Sequence, residues 1–98
     1  LKVIWTEQAL VRLIEIQDFI ARSNPAAAER LIRRIVERGC GLTKFPEMGR
    51  TVPELPGTGV REIIEGRYRI VYRIRAKGIQ VLTVFEGHRQ FPTDDVGE

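Results

Sequence analysis

Five side chains in this chain have the types needed to cut RNA: Glu54, Arg61, Arg69, Glu86 and His88. Cleavage at a 2′-hydroxyl needs a base for that proton, cations for the phosphorane charge and an acid for the leaving oxygen. Glu54 or Glu86 could serve as base and Arg61 and Arg69 as cations. His88 could serve as acid, because imidazole changes charge near neutral pH. His88 is the only histidine and sits in "VFEGHRQFP", two residues after Glu86 and next to Arg89. Residues two apart on a strand or its extension share a face, so a plain Glu86–His88 ion pair accounts for the spacing equally well. On chemistry alone the residues favour a binding role over a ribonuclease.

Other chemistries find less support. One His and one Cys, far apart in sequence, cannot supply the three or four ligands of a zinc site. No Gly-rich phosphate loop sits between a strand and a helix, and no spacing suggests a Ser-His-Asp or Cys-His nucleophile. Cys40, at an apolar helix end, reads as a small core residue. No metal and no cofactor is expected.

Charge points to a partner. The net charge is only +3, yet thirteen of the sixteen basic residues are arginine. Arginine's planar donor fork suits phosphate and carboxylate, where lysine is a point charge. Arg61, Arg67, Arg69, Arg73 and Arg75 fall within fifteen residues. Such a cluster implies an anionic partner, either nucleic acid or an acidic protein segment. A single cysteine excludes an internal disulfide and fits a reducing compartment. The first residues do not resemble a signal peptide. No apolar run approaches the ~20 residues of a membrane span. A cytoplasmic protein without a membrane partner is expected.

The elements that must position these residues follow from periodicity. Ninety-eight residues, 43% hydrophobic and 30% charged, make one globular domain with one core. "KVIW" is a short opening strand. Thr6 offers a helix N-cap with Glu7 in the first turn. From Glu7 to about Arg22, Leu10, Leu13, Ile14, Ile16 and Ile20 recur at helical spacing. "SNP" (23–25) ends that helix, and Asn24 with Pro25 starts another. The second carries Ala28, Leu31, Ile32, Ile35 and Val36 on one side. Glu29, Arg30, Arg33, Arg34 and Arg38 lie mostly on the other, Glu29 and Arg33 as an i,i+4 pair. So short a connection makes an antiparallel helical hairpin. Gly39 and Gly41 weaken its end and allow close approach to a neighbour.

"FPEMGRTVPELPGTG" (45–59) is a loop. Then "VREII", "YRIVYRIR" and "IQVLTVFE", joined by short Gly-containing turns, make an antiparallel meander. Tyr68, Ile70, Tyr72 and Ile74 alternate with Arg69, Val71, Arg73 and Arg75. The first set is expected to face the hairpin, opposite Leu10, Ile14, Leu31, Ile35 and Phe45, and the arginine face to stay open. The fold class is α+β. A single domain spans 1–98, with strand 1–5, helical hairpin 6–43, loop 44–59, meander 60–87 and tail 88–98.

"FPEMGR", "VREIIEGRYRIVYRI" and "IQVLTVFEGHRQFP", with the "VIWTEQAL" junction and the "NPAAAERL" helix, resemble the RelE/ParE superfamily of toxins from type II toxin–antitoxin modules. The likeness covers nearly the whole chain. It implies an N-terminal strand and helical hairpin packed on an antiparallel meander, and a cognate antitoxin of ParD or RelB type in a hetero-oligomer. RelE-like members are ribosome-dependent messenger-RNA endonucleases. ParE-like members poison DNA gyrase and need no catalytic group. Here Arg61 and Arg69 match the basic positions of the RelE-like pattern and His88 lies near its terminal one. The lysine-poor second half and the lack of a terminal tyrosine depart from it. "PEMGR", the Ala/Arg-rich second helix and "GHRQFP" look more ParE-like. That branch implies target binding through Arg61, Arg69, Arg73 and Arg89, with Arg30, Arg33, Arg34 and Arg38 toward the antitoxin. The alternative is ribosome-dependent cleavage by the five residues named first. A third reading is a chain that keeps only antitoxin binding.

Overall fold

The structure is a computed structural model that describes residues 2–97; Leu1 and Glu98, the ends of the expected domain, lie outside them. Strand β1 (Lys2–Trp5) leads into helix α1 (Glu7–Ala21), and helix α2 (Pro25–Cys40) completes the hairpin. After a 3-10 turn (Gly41–Thr43) come β2 (Arg50–Thr51), β3 (Arg61–Glu65), β4 (Tyr68–Arg75), β5 (Gly78–Glu86) and a short tail helix α3 (Thr93–Val96). The five strands form one sheet in the order β1-β5-β4-β3-β2. β1 runs parallel to β5 and the other pairs are antiparallel. This is the expected α+β architecture.

Local chemistry fixes the junctions. The Thr6 hydroxyl accepts from the Ala9 N–H at 3.0 Å and donates to the Leu82 carbonyl, while the Thr6 N–H donates to Val81. One residue thus caps α1 and ties it to the end of β1 and to β5. The Asn24 side chain accepts from the Ala27 N–H at 3.0 Å, with Pro25 opening α2. Gly39 lets α2 lie against the β1 tryptophan: a Cβ there would meet Trp5 Cζ2 at 2.9 Å.

Two apolar clusters sit on opposite faces of the sheet. The larger joins Ala9, Leu13, Leu31 and Ile35 of the hairpin to Ile63, Ile70, Tyr72, Ile79, Val81 and Val84. Tyr68, Ile70 and Tyr72 face the hairpin as expected, with Leu31 and Ile35 opposite. Leu10 and Ile14 do not: they are 47% and 55% exposed. The buried stripe of α1 starts at Ala9 and runs through Leu13, Ile16 and Ile20, one residue out of phase with the expected one. Ala9 is small and brings the helix close to the sheet, and counting only large apolar residues hides it. Phe45 and Ile74 are exposed and do not belong to the hairpin-face cluster. Cys40 is exposed rather than a core residue.

The arginine-bearing face is not open. It carries Val52, Val60, Val71, Leu82, Phe85, Phe91 and Val96, contributed by the Pro/Gly loop, the sheet and the tail. A register shift makes this possible: Val71 pairs with Thr83 and Tyr72 with Val81, so Leu82 is an extra residue on β5. The loop and tail fold back because Val71, Leu82 and Phe85 present apolar surface that water would otherwise wet.

Candidate functional site

Arg69 anchors the second face. It is only 8% exposed. Its Nε donates to Glu62 Oε1 at 2.6 Å, and its terminal nitrogens grip both Glu54 oxygens at 2.9 and 2.8 Å. Glu62 is itself buried, and its other oxygen accepts from Arg50 Nε at 2.6 Å. The Arg69 guanidinium lies over the rings of Phe85 and Phe91, 4.9 and 5.4 Å from their centroids, and those rings meet edge to face. Loop, strands and tail converge on this one cation. Hydrogen bonds from Arg69 hold the Glu54 carboxyl down at about 2, and Glu54 raises Arg69 in turn.

A second anchor fixes the tail. Arg12 of α1 donates through Nε and a terminal nitrogen to the two Asp95 oxygens at 2.7 and 3.1 Å, and the Thr83 hydroxyl donates to Asp95 at 2.8 Å. Phe91 and Val96 of the tail are buried in the cluster with Val71, Leu82 and Phe85.

Between α1, the start of α2 and the end of β5 lies a groove of about 760 Å³. Ile16, Phe19, Ile20, Leu31, Tyr68 and Val84 contribute its apolar surface. Its rim carries Arg12, Arg34, Arg67 and Arg89 against Glu15 and Glu86. Burial is the main cause that raises the Tyr68 phenol above its ordinary value, with Glu86 adding to it.

The sequence-selected residues are only partly brought together. Glu54 and Arg69 meet, but inward and in a closed network. Arg61 shares its face with Tyr72 and donates to the Gly49 carbonyl at 2.6 Å. Arg73 is half-buried, and burial, then nearby Arg75, lowers its affinity for a proton. Glu86 pairs with Arg67 and Arg89 at 3.6 and 3.9 Å, not with His88. Strand β5 ends at Glu86 and a turn follows, so the shared strand face that would pair them ends there. His88 is exposed and makes no hydrogen bond or ion pair among the described residues. On α2, Arg30 and Arg33 are exposed, Arg33 pairing Glu29 at 3.5 Å, while Arg34 and Arg38 both reach Glu65.

The Glu54–Arg69 pair is poorly suited to proton transfer or phosphate binding. A carboxylate held at about 2 is a weak base at neutral pH, and an arginine fully engaged by carboxylates has little to offer a phosphate. Glu62, Arg50, Arg12 and Asp95 are missing from the sequence-based set. One signal was present for Glu62: it alternates with Val60 on a strand whose partner residue is Val71. Among the described residues, no group of three His, Cys, Asp or Glu side chains could hold a metal ion, and no helix is long and apolar enough to cross a membrane.

The family described as "ParE toxin of type II toxin-antitoxin system, parDE" matches residues 3–91. Y4kP of Sinorhizobium fredii, a candidate toxin by name, is 36% identical over 95 residues, covering 93% of each chain. Toxin RelE2 of Caulobacter vibrioides is 39% identical over 49 residues, 50% of this chain and 56% of that one. Among solved structures, the chromosomal ParDE system of P. aeruginosa aligns with a TM-score of 0.74 at 26% identity, covering 88% of this chain and 95% of that one. The RelBE2 toxin–antitoxin complex of Mycobacterium tuberculosis aligns with a TM-score of 0.61 at 24% identity, covering 87% and 88%, a likeness of fold.

Proposed function

The chain belongs to the ParE toxin family of type II toxin–antitoxin systems, and we propose that within this family it acts by binding DNA gyrase, not by cutting RNA. The closure of Arg69 by Glu54 and Glu62 carries this reading. The two residues best suited to general base and phosphate-binding roles neutralise each other and hold the fold. Arg61 and Arg73 remain as target-binding residues, while Arg89, on the groove rim, passes to the antitoxin. Arg69 leaves that set because it is buried.

The cognate antitoxin supplies an acidic, amphipathic segment that orders as it binds. The groove suits such a segment: apolar side chains enter beside Phe19 and Tyr68, and carboxylates meet Arg34, Arg67 and Arg89 on the rim. Arg30, Arg33, Arg34 and Arg38 extend the basic surface along α2. The product is a toxin–antitoxin hetero-oligomer.

The competing reading is ribosome-dependent cleavage of messenger RNA with His88 as acid, and the exposure of His88 beside Arg89 favours it. Purified protein assayed in parallel for inhibition of gyrase supercoiling and for message cleavage on ribosomes separates the two. Supercoiling inhibition without cleavage is expected. Ribosome-dependent cleavage with normal supercoiling overturns the gyrase reading. An operon neighbour that neither co-purifies with the chain nor relieves growth inhibition overturns the antitoxin assignment.

A further inference from the structure

The loop after α2 presents apolar side chains to solvent in a fixed shape. Phe45 is 67% exposed and Met48 49%, and Ile74 and Pro46 complete the patch. Loops that expose such residues usually collapse or move, but this one is held from beneath. The buried Tyr72 hydroxyl donates to the Pro46 carbonyl at 2.6 Å and accepts from the Gly49 N–H at 3.0 Å. Arg61 donates to the Gly49 and Glu47 carbonyls at 2.6 and 3.3 Å, and the Met48 N–H donates to the Phe45 carbonyl. Gly49 is required at the clamp: a Cβ would lie 2.5 Å from the Glu62 carbonyl oxygen and 2.7 Å from the Tyr72 hydroxyl. Phe45 and Met48 are therefore displayed on a pre-ordered knuckle.

The knuckle occupies the end of the sheet away from the groove. The groove takes in the β3–β4 turn at Gly66 and Arg67, whereas the knuckle packs by Ile74, near the other end of β4. Lys44 and Arg61 flank the patch. Lys77 lies in the adjoining β4–β5 turn and Lys2 pairs with Gly78 at the same end. No Asp or Glu occurs from Gly66 to Phe85, and Glu47 is the one carboxylate in the knuckle loop.

We infer that this knuckle is the target-contacting surface and that its partner is a folded protein offering an apolar cleft ringed by carboxylates. The inference rests on the gyrase-binding reading and names the part of the chain that would perform it. Aromatic and methionine anchors carry binding energy when they enter a desolvated pocket, and a clamped loop loses little freedom on docking. A cationic surround steers an acidic partner. A protein fits better than nucleic acid because the patch is mostly aliphatic, with a single aromatic ring on which a base could stack.

The test measures binding of purified gyrase subunits to the wild-type chain, to Phe45→Ala/Met48→Ala and to Lys44→Glu. Antitoxin affinity and Tm are measured on the same proteins. The double variant should lose roughly 10- to 100-fold in gyrase affinity, the range of hot-spot truncations. Lys44→Glu should lose less and mainly slow association. Antitoxin affinity and Tm should stay unchanged in both. Gyrase affinity that survives the double substitution overturns the surface and leaves the function standing. A wild-type chain that binds neither subunit overturns the function and the surface together. Loss of single-stranded oligonucleotide binding in the double variant, with gyrase binding intact, overturns the protein partner in favour of nucleic acid.

Discussion

The two faces of the sheet are held by different physics. The hairpin face is an apolar contact between two helices and three strands, built from Ile35, Ile70, Tyr72 and their neighbours. Its stability spreads over many small dispersion and burial terms, each tolerant of volume-conserving change. The opposite face has fewer apolar residues and gathers a loop, three strands and a tail around Arg69, Glu62 and Glu54. A buried ion network of this kind adds little net stability over an apolar replacement, yet breaking one partner leaves a charge stranded. The contrast assigns roles: the hairpin face makes the domain fold, and the polar face decides where the loop and tail come to rest.

The sharpest break of that contrast is Arg69→Ala. It strands the buried Glu62 carboxylate and removes the cation between Phe85 and Phe91, so a cost of about 3–5 kcal/mol is expected. Urea unfolding reads the loss, and hydrogen exchange should report faster exchange in residues 50–60 and 88–97 first. A cost below about 1 kcal/mol would show that water or Arg50 rescues Glu62 and that the face is not organised around one cation.

On the hairpin face, Ile35→Ala and Ile70→Ala should each cost about 2–5 kcal/mol, as large-to-small changes in packed cores do. Leu10→Ala, on the exposed side of α1, should stay within about 0.5 kcal/mol. The pair tests the phase of α1 directly. If Leu10→Ala costs as much as Ile35→Ala, the helix is rotated relative to the structure described.

Acid should act on the polar face selectively. The folded-state value of Glu54 is depressed to about 2 from 4.5, so its contribution is fully present above pH 4.5 and is lost as pH falls through about 2. Because Glu54 is partly exposed, solvent screens the effect and the total is modest. Stability measured from pH 5 to 2 should fall less steeply in Glu54→Gln than in wild type. Identical acid limbs would mean the carboxylate makes no net contribution to folding.

These contrasts also explain which parts of the fold could be read from the residues. Helices, caps and meander follow from local periodicity and cap chemistry: Thr6, Asn24-Pro25 and the alternation in "YRIVYRIR" needed no distant partner. The phase of α1 was less legible because Ala9 competes with Leu10 for the packing face, and the winner depends on how closely the helix meets β5. The second core was hidden for another reason. Arg69 looks like a surface residue until Glu54, Glu62, Phe85 and Phe91 are known to converge on it, across as many as 22 positions in sequence. Tail docking through Arg12 and Asp95 joins residues 83 positions apart, beyond any local pattern. For the same reason an arginine cluster suggested an open anion-binding face where the structure holds an internal network.

The smallest stability effect is expected at His88, and it is the most informative about mechanism. The side chain is exposed, beyond the end of β5 and outside both clusters, so His88→Ala should change stability by less than about 0.5 kcal/mol. Any change in growth inhibition can then be assigned to chemistry or contact, not to folding. As a general acid, His88 would contribute ~10²–10⁴-fold, and its loss would abolish message cleavage while leaving antitoxin binding intact. If the chain works by docking, no proton moves and most of the growth inhibition should remain. We expect tolerance. The measurement pairs induction in cells with supercoiling and ribosome-cleavage assays on wild-type and His88→Ala protein. A fully folded variant whose toxicity and message cleavage vanish together would move the active chemistry to the exposed end of β5, leaving Arg69 and the polar face as its scaffold.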